Sequence, residues 1–98
     1  MRSLDVRRVL EDGRPLHGNR VVVFLAPGAG GAGFIAGRKI GNAVERNRAR
    51  RILRAAWYEV ARGIGRYDTV LVARAAIRGA KTQDLVAEMT ELFREGTR

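Results

Sequence analysis

Five arginines, Arg46, Arg48, Arg50, Arg51 and Arg54, fall within nine residues, and one acid, Glu45, stands beside them. A guanidinium is planar, forked and permanently charged, so a cluster of them grips phosphate oxygens in pairs and stacks on base faces. It cannot serve as a general acid or base, because it holds its proton throughout the working pH range. The chemistry on offer is recognition of a polyanion. Widening the window to Arg38 and Lys39 gathers seven of the chain's 19 basic residues, in a chain whose formal net charge is +9. Neutralising phosphates releases condensed counterions, so nucleic acid leads as partner and an anionic membrane surface follows.

Other chemistries find little support. The chain has no cysteine and one histidine, His17, which excludes disulfides, thiolate zinc sites, cysteine nucleophiles and multi-histidine metal centres. Asp68 and Asp84 are the only aspartates after Asp12, and neither belongs to the paired-carboxylate pattern that a metal-dependent nuclease needs. Gly28 to Gly33, G-A-G-G-A-G, matches the dinucleotide fingerprint formally. It is followed by F-I-A-G rather than a helix, with no ribose-binding acid at the required distance, so it reads as a flexible hairpin loop.

The elements that must position the arginines follow from periodicity. Ser3 caps a short helix through Glu11, which Gly13 and Pro15 end. R-P-L-H-G-N, Arg14 to Asn19, reads as a turn-like piece that contributes a short strand. Arg20 to Ala26 is a β-branched strand with Val22 and Phe24 on one face and Val21, Val23 and Leu25 on the other. Phe34 to Arg38 reads as a second main strand, antiparallel to the first. Asn42 caps a long helix that should run to about Ala61 and stop at Gly63 and Gly65. At 100° per residue, Ala49, Ile52, Leu53, Ala56, Trp57 and Val60 form its buried stripe. Arg46, Arg50 and Arg54 succeed one another at i, i+4, i+8, with Asn47 and Arg51 beside them and Arg48 turned to the opposite flank. Like charges so spaced cost roughly 0.2–0.5 kcal/mol per pair, which an anionic partner or a tertiary scaffold must offset.

Tyr67 to Arg74 is a third main strand. Lys81 to Glu95 is a last helix, capped by Thr82, with Leu85, Met89, Leu92 and Phe93 inward and a mostly acidic outer face that reads as simple solvation. With 98 residues, 46% of them hydrophobic, the chain is expected to form one domain over 1–98 around one core. The fold class is α+β, a two-layer sandwich of one mixed sheet and helices. No apolar run approaches about 18 residues and the amino terminus has no signal-sequence pattern, so a soluble, cytoplasmic protein is expected. A membrane-surface helix would need an apolar stripe free to enter lipid, whereas this stripe is needed for the core. Asn47 alone could read base edges, so phosphate and shape recognition of RNA fits better than reading of DNA sequence.

The string G-N-A-V-E-R-N-R-A-R-R-I-L-R, Gly41 to Arg54, resembles the signature of the bacterial ribonuclease P protein component. The likeness extends more loosely along the chain, through the R-V-V-V-F strand and the carboxy-terminal L-x-x-x-M-x-x-L-F. It implies the order α-β-β-β-α-β-α with a left-handed βαβ crossover around the long basic helix. It further implies an accessory subunit of a ribonucleoprotein that removes the 5′ leader from precursor tRNA by Mg²⁺-dependent hydrolysis. The RNA is the catalyst in that assembly and, with the substrate, holds the Mg²⁺; no catalytic side chain, protein metal site or obligate protein partner is expected. By this resemblance Arg38, Lys39, Asn42, Arg46, Asn47, Arg48, Arg50, Arg51 and Arg54 face ribonuclease P RNA or precursor tRNA. Val6, Leu10, Val22 and Phe24 occupy the positions of a cleft for the single-stranded leader. Two departures stand out: Val6 and Leu10 replace the aromatic residues usual in that cleft, and the chain begins almost at the first helix, without the basic extension common in the family. A ribosomal or other structural RNA-binding protein using the same helix is the alternative.

Overall fold

The computed structural model describes residues 4–61 and 66–96. Ser3, Gly63 and Gly65, expected to bound helices, lie outside those residues. The described chain runs α1 (Val6–Asp12), β1 (Arg14–His17), β2 (Val21–Pro27), β3 (Ala32–Ile35), α2 (Ala43–Val60), β4 (Tyr67–Ala73) and α3 (Thr82–Gly96). This is the expected order, with 3-10 turns at Arg38–Ile40 and Ala75–Ile77.

The helix ends follow local chemistry. At α1 the cap is Asp5, whose carboxylate accepts the Arg8 N–H at 3.0 Å. Asn42 closes a full capping box on α2: its side chain takes the Glu45 N–H at 3.0 Å, and Glu45 takes the Asn42 N–H at 3.3 Å. Gly41, at φ +138°, makes the turn into that cap in a conformation L side chains rarely adopt. At the start of α3, Thr82 is already helical, and the Asp84 carboxylate takes the Lys81 N–H at 2.9 Å.

The sheet has the order β1-β2-β4-β3. β2 is antiparallel to both β1 and β4, while β3 runs parallel to β4 from Ala32 opposite Thr69 to Ile35 opposite Val72. Two expectations are corrected here. The strand before the basic helix is Ala32–Ile35 rather than Phe34 to Arg38, and it pairs with β4, not with β2. Since β4 lies between β2 and β3, residues 28–31 form no hairpin. They cross the end of β4 to cover two strand spacings, nearly 10 Å.

Each sheet face buries its own cluster. On one face Val21, Val23, Leu25 and Leu71 pack against Ala49, Ile52, Leu53, Ala56 and Trp57 of α2 and Leu85, Met89 and Phe93 of α3. Trp57 and Phe93 meet edge to face with centroids 5.9 Å apart, locking the two helices together. All of the expected α2 stripe is buried except Val60, which is half-buried against the same core. On the other face Val9, Ala26 and Val70 are buried beneath α1, flanked by Leu4, Val6, Leu10, Phe24, Ile35 and Val72.

The acidic face of α3 is more than solvation. Glu88 accepts the backbone N–H groups of Arg20 and Val21 at 2.8 and 3.2 Å and pairs with the Arg20 guanidinium at 3.2 Å, tying α3 to the start of β2.

Candidate RNA interface

Burying the α2 stripe fixes where the arginines point. Ala49, Ile52, Leu53 and Ala56 are at most 7% exposed, so the side chains opposite them face solvent. Asn47, Arg48, Arg51 and Arg54 are exposed, and Arg46 and Arg50 half-buried. Tertiary contacts hold the row against edge strand β3. Arg50 donates to the Ala36 carbonyl at 3.4 Å and to the Asn47 side-chain oxygen, and the Arg54 guanidinium lies 5.5 Å from the centroid of the Phe34 ring. Asn47, Arg50, Arg51 and Arg54 line a shallow groove of about 300 Å³.

Little internal anion offsets this charge. Glu45, the only acid in the stretch from Arg38 to Arg54, is bonded within the α2 cap and pairs with Arg78 at 3.0 Å. Among the described residues, Arg38, Lys39, Arg46 and Arg51 have no carboxylate partner. Arg48 stands apart, as the helical projection expects: it donates to the Ala80 carbonyl at 2.9 Å and borders a separate cavity of about 270 Å³ with Ile40, Ile77 and Arg78. Arg38 and Lys39 are exposed on the 3-10 turn between β3 and α2, so they extend the basic surface from the helix towards the sheet edge. Asn42 is exposed at the head of α2, with its side-chain oxygen committed to the cap.

The four cleft positions come together on the α1 face of the sheet. Val6, Leu10 and Phe24 pack round the Val9, Ala26 and Val70 cluster, and Val22 follows Phe24 on the same face, opposite Val72. Sequence reasoning missed Ile35 and Val72, half-buried neighbours that widen this strip. Period two marks them as outward on their strands, but only the β2-β4-β3 order places them beside Phe24. His17, opposite Val22 on β1, is exposed at the margin of the strip. The candidate interface thus has two parts that meet at β3: an aliphatic and aromatic strip on one face, and an arginine row along the same edge.

The family model described as Ribonuclease P matches residues 2–96. The chain belongs to the ribonuclease P protein family. It is 38% identical to the ribonuclease P protein component of a Nitratiruptor species over 88 residues, 87% of this chain and 79% of that one. The ribonuclease P protein component of Symbiobacterium thermophilum is 37% identical over 98 aligned positions, covering 92% and 83% of the two chains. In three dimensions the RNase P protein of Staphylococcus aureus superposes with a TM-score of 0.80 at 21% identity, over 94% of this chain and 88% of that one. The RNase P protein of Thermotoga maritima gives 0.78 at 19% identity, over 97% of each. As a ribonuclease P protein component, the chain is a subunit of the endoribonuclease that matures the 5′ end of tRNA, and it associates with ribonuclease P RNA.

Proposed function

We propose that the α2 arginine face binds ribonuclease P RNA and the backbone of precursor tRNA, while the strip between α1 and the sheet receives the single-stranded 5′ leader. The observation that carries this reading is the attachment of the arginine row to β3 and the residue that follows it, through Arg54 and Phe34 and through Arg50 and Ala36. That attachment makes the cationic and apolar surfaces continuous round one strand. Phosphates suit the first surface and unstacked bases the second. With Val6 and Leu10 in place of aromatic residues, Phe24 is the one ring among the four cleft positions, so stacking there falls to a single side chain.

The protein supplies binding and charge neutralisation. Hydrolysis belongs to the RNA, with Mg²⁺ held by RNA and substrate. Cytoplasmic tRNA precursors are the proposed substrate pool, and the cytoplasm the working compartment.

Reconstitution tests the reading. Added to a bacterial ribonuclease P RNA transcript at low Mg²⁺, the protein is expected to raise cleavage of precursor tRNA and to favour precursor over leaderless tRNA in binding. No gain in cleavage would overturn the function; a gain with equal affinity for both tRNAs would remove the leader site alone.

A further inference from the structure

The large apolar side chains exposed among the described residues are Val44, 74% exposed, and Tyr58, 67% exposed. Both lie on α2. They are separated by close to four helical turns, and the residues between them at helical spacing are Asn47, Arg51 and Arg54. All five fall within about 80° of arc, opposite the buried stripe. No acid shares that arc, since Glu45 and Glu59 project on the other flank. Tyr58 has neither a hydrogen bond nor a ring contact among the described residues, so neither its ring nor its hydroxyl contributes to the described packing.

A single exposed aromatic needs no explanation. This one is placed where the charge around it selects the occupant. Arg54 sits one turn before it on the same face, a neighbour of the ring, and Arg51 one turn further, about 10 Å along the axis and near the spacing of a flanking phosphate. An aromatic face beside uncompensated arginines is the composition of a stacking platform for single-stranded nucleic acid: the cations hold phosphates and the ring receives a base. Bases within a paired helix have their faces covered by neighbours, so the base must come from a loop, bulge or end.

We propose that Tyr58 is an RNA-contacting residue that stacks on an unpaired base of ribonuclease P RNA, with Arg51 and Arg54 holding the flanking phosphates. The proposal rests on α2 being the RNA-binding surface and adds to it a base-stacking position at the carboxy-terminal end of the arginine face.

Affinity for a bacterial ribonuclease P RNA transcript, measured across a salt series for the full chain, tests it. Tyr58→Ala is expected to weaken binding about 5- to 150-fold, the range for loss of one base stack, without changing the salt slope. Tyr58→Phe should stay within about twofold of the parent, and Arg51→Ala should reduce the slope by about one. Because Tyr58 is exposed and alanine favours helix, the circular dichroism of Tyr58→Ala should match the parent. Parent-like binding by Tyr58→Ala, beside weakened Arg51→Ala, would overturn the stacking role and leave the α2 surface standing. Tyr58→Phe as weak as Tyr58→Ala would also overturn it, by assigning the effect to the hydroxyl. If neither Tyr58→Ala nor Arg51→Ala altered binding, the reading of α2 itself would fall.

Discussion

Arg8 of α1 donates from Nη2 to Oδ2 of Asp68 on β4 at 2.6 Å, and the same carboxylate accepts the Gly31 N–H through Oδ1 at 3.0 Å. One side chain therefore fastens both α1 and the crossing residues 28–31 to the start of strand β4. Gly28 is part of the arrangement: a Cβ there would lie 2.1 Å from Asp68 Oδ2, so the backbone can pass over the carboxylate only without one. Asp68 is nearly fully buried, and Arg8 is about one-third exposed.

Asp68→Asn should therefore loosen the α1 wall of the cleft. Removing one partner of a mostly buried pair costs several kcal/mol, and the partial exposure of Arg8 lowers this to about 1–3 kcal/mol. Urea unfolding would read that loss. Affinity for precursor tRNA should fall more than affinity for leaderless tRNA; equal losses would detach Asp68 from the proposed leader site.

At Asn42 two roles can be separated. Asn42→Ala should cost about 1 kcal/mol of stability through loss of the cap. Asn42→Asp keeps an acceptor for the Glu45 N–H and suits the helix dipole, so stability should hold or rise slightly. It also brings a negative charge to the basic surface, and RNA affinity should drop several-fold. Thermal melts and filter binding on the two variants check this, and unchanged RNA affinity in Asn42→Asp would place the residue outside the interface.

Arg50 is oriented by two acceptors, the Ala36 carbonyl and the Asn47 side chain. Arg50→Ala should weaken RNA binding and lower the slope of log affinity against log salt by about one. Asn47→Ala releases one of the two anchors while leaving the charge, so its loss of affinity should be smaller and its slope that of the parent. Cleavage by the RNA at high Mg²⁺ should survive both changes.

The Thr69 hydroxyl is buried on β4 with no hydrogen-bond partner among the described residues. Thr69→Val replaces it with a methyl of similar shape on a β-branched scaffold, removing the cost of an unpaired polar group. A gain of about 1 kcal/mol is expected, a rise in Tm of roughly 4–8 °C for a protein of this size. No change would mean that the hydroxyl is satisfied in the folded protein.

The sequence by itself determined the long helices, the central strands β2 and β4 and the charge pattern. Ala49, Ile52, Leu53, Ala56 and Trp57 repeat at a spacing that only a helix gathers on one face, so Arg51 and Arg54 between them face outward and Arg50 lies at the flank. Val21 to Leu25 alternate at a spacing that fixes two strand faces, which placed Val22 and Phe24 together. What remained illegible was which strand neighbours which. β3 pairs in parallel with a strand more than thirty residues later, and its hydrogen bonds leave no local mark; only the covering of both sheet faces at once selects the order β1-β2-β4-β3. That order turned residues 28–31 from a hairpin into a crossing held by Asp68, and it brought Ile35 and Val72 beside Phe24. Tyr58 shows the same division. Helical spacing places it on the arginine face, but its 67% exposure is decided by the tertiary packing, since α3 and the sheet cover the opposite side of α2 and leave that ring bare.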